Sequence, residues 1–122
     1  MSTCLGIRGA TTAEENSPVS IVSATKELLQ ELVALNHVDK SQLAAIWFTT
    51  TDDLNAGYPA LAARQLGWMN VALMCGHEMA VPEGLPRCIR VLILVNTDKS
   101  PEDLQYVYLK DAQGLRSQGL DS

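Results

Sequence analysis

The run Cys88-Ile89-Arg90-Val91-Leu92-Ile93-Leu94-Val95-Asn96-Thr97 is the clearest strand in this chain. Large apolar and β-branched side chains fill it, and neither Gly nor Pro interrupts it. Successive side chains of a strand point to opposite faces, so Arg90 shares a face with Cys88, Leu92 and Leu94. A guanidinium among apolar neighbours needs an anionic or hydrogen-bonding partner, because an unpaired buried charge is very costly. Pattern alone leaves three answers open: an acid of the chain such as Glu78, solvent near the strand start, or an anionic ligand.

Outward from that strand, the spacing predicts six more elements. Thr3 to Gly9 alternates as a strand with Cys4, Gly6 and Arg8 on one face, and Thr11 to Asn16 is polar enough for a loop. Ser17 and Pro18 supply an N-cap and a first-turn proline. Ile21, Thr25, Leu28, Leu29, Leu32 and Val33 then recur at helical spacing to about Asn36, with Glu27 and Glu31 on the wet side. Leu43 to Thr49 reads as a buried strand and Val71 to Cys75 as a further strand. Pro59 opens a shorter helix through Leu66, which Gly67 closes. Gly76 to Arg87, with Pro82, Gly84 and Pro86, is a loop, Tyr106 to Leu109 a last strand, and the tail after Lys110 is loosely ordered. The class is α+β: a mixed five-stranded sheet with one long and one short helix, in one domain spanning residues 1–122. Two helices cannot cover both faces of five strands, so a partner subunit is the expected cover.

Composition narrows the partners. The 122 residues carry a net charge of −5 with 47% hydrophobic and 19% charged residues, a globular balance. A pI near 4.8 argues against nucleic acid or an anionic membrane, both of which need a basic face. Any anionic ligand must be held by a few clustered cations, which directs attention to Arg8, Arg64, Arg87, Arg90 and Arg116. No apolar run is long enough to span a bilayer and no signal peptide is visible, so a cytoplasmic location is expected. Cys4, Cys75 and Cys88 form no C-x-x-C pair, and with only His37 and His77 beside them no zinc pattern assembles; reduced thiols and no metal are expected. Neither a G-x-G-x-x-G nor a P-loop is present, which disfavours a nucleotide cofactor.

Several residues invite functional readings. Arg8 sits at the end of the first strand, where Gly9 lets the backbone turn or come close to something. Tyr106 and Tyr108 share a face of the last strand, each either a core edge or a donor to a carboxylate. Cys75-Gly76-His77-Glu78 holds a thiol, an imidazole and a carboxylate. Sequence neighbours seldom form a nucleophile–base pair, because the fold brings such partners together. Hydrogen bonding of a ligand hydroxyl by Cys75 and Glu78 is the milder alternative.

Taken in order, Ile7-Arg8-Gly9-Ala10-Thr11-Thr12, Tyr58-Pro59-Ala60 with Arg64, Cys75 with Glu78, Cys88-Ile89-Arg90-Val91 and Val107-Tyr108-Leu109 resemble the trimeric α/β chorismate mutases, as distinct from the all-helical ones. The resemblance runs from Gly6 to Arg116. It implies a pseudo α/β-barrel trimer with sites between subunits, and conversion of chorismate to prephenate, on the route to phenylalanine and tyrosine, with no cofactor, metal or covalent intermediate. By the same resemblance, Arg90 contacts the ether oxygen and a carboxylate, Arg8 and Tyr108 hold carboxylate, and Glu78 and Cys75 meet the ring hydroxyl. Tyr58, Ala60, Arg64, Leu73 and Met74 line the pocket from the neighbouring subunit, while Leu115 and Arg116 belong to a tail placed to close over it. Two positions depart from the family pattern: Leu61 where a lysine is expected, and Met74 where a smaller polar residue is. An enamine/imine deaminase-like trimer and a non-catalytic sensor of a small anion are the alternatives; Glu78 and the second arginine, Arg8, favour the mutase.

Overall fold

The computed structural model describes residues 2–82 and 84–115. In chain order the elements are β1 (Thr3–Thr12), α1 (Pro18–Leu35), β2 (Leu43–Thr50), α2 (Leu61–Gln65), β3 (Ala72–His77), β4 (Cys88–Thr97) and β5 (Val107–Tyr108). Short 3-10 turns lie at Lys40–Gln42, Pro101–Asp103 and Lys110–Gly114. The strands form one mixed sheet in the order β3-β2-β4-β1-β5. The quoted strand β4 is its centre, antiparallel to both β1 and β2, while β3 and β5 add on in parallel at the two edges.

Helix α1 starts where the sequence says it should. The Ser17 side chain accepts the Ser20 amide hydrogen and Pro18 occupies the first turn. Of its apolar stripe, Val22, Leu28, Leu29 and Leu32 pack on one sheet face against Ile7, Ile46, Phe48, Val91, Ile93 and Val95, while Ile21 packs with Ala13, Leu54 and Ile89. Each such fully buried side chain contributes roughly 1.5–3 kcal/mol of transfer free energy. Gly9 permits the contact: a Cβ there would lie 2.8 Å from Leu32 and 3.0 Å from both Leu28 and the Val107 carbonyl. The close approach expected of Gly9 is thus to the chain's own helix. At the far end, buried Asn36 donates to the Leu32 and Gln105 carbonyls and accepts the Gln105 amide, tying α1 to the segment before β5.

Boundaries differ from the sequence reading in instructive ways. β1 continues through Thr11 and Thr12, read as loop, because the start of β4 pairs with them. β3 likewise takes in Gly76 and His77, which align with Thr49 and Thr50, whereas Val71 precedes the strand and sits in the core. α2 begins at Leu61, two residues after Pro59, and β5 is only two residues long. The stretch after Lys110 is not loose up to Leu115: it makes a 3-10 turn with Ala112 and Leu115 buried against Ala10 and Cys88.

Among the described residues the second sheet face is covered only at one end, where Ala112 and Leu115 pack on Ala10 and Cys88; the rest of it carries no described element. Cys4, Gly6 and Arg8 of β1, Ala45, Trp47 and Thr49 of β2, Met74 of β3 and Arg90, Leu92 and Leu94 of β4 belong to it by register. Trp47 is 53% exposed and Met74 57%, fractions that large apolar side chains seldom keep on a finished surface.

Candidate active site

On that open face, register brings the chemistry together. Arg90 lies directly opposite Thr49 on one side and Ala10 on the other. Ala10 in turn aligns with Tyr108 of β5, so Arg90 and Tyr108 flank the same β1 residue. One rung away, Arg8 aligns with Leu92 and Leu92 with Trp47. Arg8, Gly9, Trp47, Thr49, Arg90, Val91 and Leu92 line a cleft of about 190 Å³.

Both arginines are held. Arg90 Nε donates to Glu78 Oε2 at 2.7 Å, the pair being partly exposed, and Thr49 Oγ1 donates to the same carboxylate oxygen. The Arg8 guanidinium stacks 5.0 Å from the Tyr106 ring centroid, a cation–π contact. Two cations and one carboxylate stand together here on an acidic chain, and clustered cations are what an anionic ligand requires. Of the three partners left open for Arg90, Glu78 is realised. The contact through Nε orients the guanidinium and does not by itself define its function.

The remaining predicted residues fall elsewhere in the chain. Cys75 and Leu73 align with Phe48 and Ile46 and pack against the α1-covered core, on the face opposite Arg90. Within one chain Glu78, just after β3, is held at Arg90, while Cys75 packs toward the core. It lines a different recess, of about 430 Å³, with Tyr58, Pro59, Gly76 and His77. Burial pushes the Cys75 thiol up from its usual range, with the Ala60 backbone pulling the other way, so the sulfur stays protonated at neutral pH. Its sequence neighbour His77 is turned to the Thr50 hydroxyl and carbonyl instead, at 3.2 and 3.3 Å. A thiolate nucleophile has no support here. Tyr58 is exposed, and exposed Arg64 donates to the Met69 carbonyl. Met74 stands beside Trp47 on the open face. Leu61 heads α2 and is half-exposed. Leu115 is buried with Ala10 and Cys88, and Arg116 lies outside the described residues.

Comparison with known proteins shows the family to which the chain belongs. Residues 4–119 match the family described as chorismate mutase type I. The chain is 47% identical over 112 residues to a chorismate mutase AroH of Thermus thermophilus, covering 91% of this chain and 92% of the relative. It is 40% identical over 112 residues to a chorismate mutase AroH of Bacillus subtilis, at 91% and 88% coverage. A solved structure described as a chorismate mutase from Clostridium thermocellum superposes with a TM-score of 0.88 at 46% identity, covering 89% of this chain and 97% of that one. The chain belongs to the chorismate mutase type I family.

Within that family frame, sequence reasoning found Arg8, Glu78, Arg90 and Tyr108, which the fold gathers on the open face. It passed over Thr49 and Trp47. Both were legible as the alternate positions of β2 that face away from α1, but Leu43 to Thr49 reads as one apolar run in which no alternation stands out. Among the described residues no three His, Cys, Asp or Glu side chains converge as a metal site would need.

Proposed function

We infer that this chain is an isomerase that converts chorismate to prephenate. The observation that carries the reading, beside family membership, is the pair Arg8 and Arg90 on one cleft of the open sheet face, with Arg90 fixed by Glu78. The reaction is an intramolecular Claisen rearrangement: the C–O ether bond breaks as a C–C bond forms, within one molecule. Nothing is transferred to the protein, so the groups needed are those that select a conformer and stabilise charge. Cationic side chains that hold the substrate's two carboxylates favour the compact, folded substrate and remove part of the entropic barrier. Negative charge grows on the ether oxygen as its bond lengthens. A guanidinium locked beside that oxygen stabilises the transition state more than the ground state. Arg90 takes this role, with Arg8 and Tyr108 on carboxylate and Glu78 on the ring hydroxyl. Neither the deaminase-like nor the sensor reading is favoured by the family match.

A homotrimer with sites between subunits, in the cytoplasm, completes the proposal. Its support is the uncovered face bearing Trp47, Met74, Leu92 and Leu94, and the separation within one chain of the Arg90 group from the recess of Tyr58 and Cys75. Tyr58, Ala60, Arg64, Leu73, Met74 and Cys75 then reach the arginines of an adjacent copy. No described helix is long and apolar enough to cross a membrane. The decay of chorismate absorbance with purified protein tests the activity; a rate equal to that in buffer overturns it.

A further inference from the structure

Thr49 has no assigned part in the reaction, yet its place is singular. It is the β2 residue registered simultaneously against Arg90 of β4 and Gly76 of β3, so it stands between the strand that carries the arginine and the strand that delivers Glu78. Glu78 follows β3 directly, and its amide donates to the Thr50 carbonyl at 2.8 Å, which pins the Glu78 backbone to β2. The carboxylate is then pinned a second time: Oε2 accepts both the Thr49 hydroxyl and Arg90 Nε. Hydrogen bonds to an ionised group are the stronger kind, and two on one oxygen fix its position against both strands. Thr49 and Arg90 also line the same cleft.

We propose that Thr49 is a positioning residue that sets the orientation of Arg90 through Glu78. The Thr49 hydroxyl holds Oε2, Oε2 holds the Nε edge of Arg90, and the orientation of the guanidinium is set through that edge. A small misplacement of a charge meant for a developing oxyanion lowers the rate steeply, whereas substrate capture depends on several groups. The defect from losing the hydroxyl therefore falls on kcat and leaves KM nearly unchanged. This inference rests on the proposed mutase activity.

The experiment measures kcat and KM for chorismate in wild type, Thr49→Val, Thr49→Ser, Glu78→Gln and the Thr49→Val/Glu78→Gln double variant. Wild type without turnover defeats the activity itself and is thereby distinguished from a failure at Thr49. Given turnover, Thr49→Val is expected to lose about tenfold in kcat, the size of one hydrogen bond to a charged group. Thr49→Ser is expected to recover most of that loss, since it restores the donor without the methyl. On the Glu78→Gln background Thr49→Val is expected to cost less than about twofold, because residues acting through one another are non-additive. Full kcat in Thr49→Val, no recovery in Thr49→Ser, or an additive double variant overturns the proposal. If Thr49→Val fails to fold, Thr49→Ala takes its place under the same criteria.

Discussion

The two faces of β4 differ by one residue of register and by almost everything else. Ile89, Val91, Ile93, Val95 and Thr97 are buried under α1 and its neighbours, while Arg90, Leu92, Leu94 and Asn96 alternate with them on the bare face. On the covered face apolar side chains interlock and the one glycine, Gly9, exists to admit helix leucines. On the open face the same strand offers a held arginine beside Leu92 and Leu94, which no described element covers. One parity of the strand makes the fold; the other carries Arg90, to which the proposed chemistry is assigned. Substitutions on the two parities should then fail in different ways.

Leu28→Ala, on the covered side, carries the largest expected effect. Leu28 is fully buried beside Gly9, and truncation there leaves a cavity. The loss expected is about 2–5 kcal/mol of folding stability, read by urea unfolding, with kcat per folded molecule retained. Arg90→Lys is its mirror image. It keeps the charge but loses the planar fork, so about 3 kcal/mol of transition-state stabilisation should vanish from kcat/KM with the melting temperature little changed. Should Leu28→Ala depress kcat as much as Arg90→Lys does, the division of labour between the faces is wrong.

Much of this division was readable in the sequence, and the failures have physical causes. α1 was recoverable nearly to its ends because Ser17, Pro18 and a helical stripe act locally. Strand ends were not, since Thr11 and Thr12 are extended only because Cys88 and Ile89 lie alongside them, a contact distant in sequence. Arg90 stood out as a charge within an apolar strand, and the family motifs supplied its companions. What no spacing conveys is which face a helix will choose: that choice is what sets Cys75 under the helices and Glu78 beside Arg90. Thr49 was invisible for a related reason, since a threonine at a strand end is unremarkable until its two neighbouring strands are known.

The covered face has one flaw, and it yields the smallest prediction. Thr11 is fully buried, and its hydroxyl has no hydrogen-bond partner among the described residues. Other buried threonines differ: Thr25 donates to the Ile21 carbonyl at 2.7 Å and Thr50 to the Leu54 carbonyl at 3.3 Å. A buried hydroxyl without a partner loses its hydration and gains nothing in return. Thr11→Val keeps the branched shape suited to β1 and removes the oxygen, so stability should rise by about 1 kcal/mol. Thr25→Val removes a bond that is made, and should give no such gain. Because Thr11 registers with Ile89, on the parity opposite Arg90, neither kcat nor KM should change in Thr11→Val. Urea unfolding of the two variants against wild type decides it. Equal or lower stability in Thr11→Val would mean that the hydroxyl has a role in the folded chain, and that the covered face is not purely a packing surface.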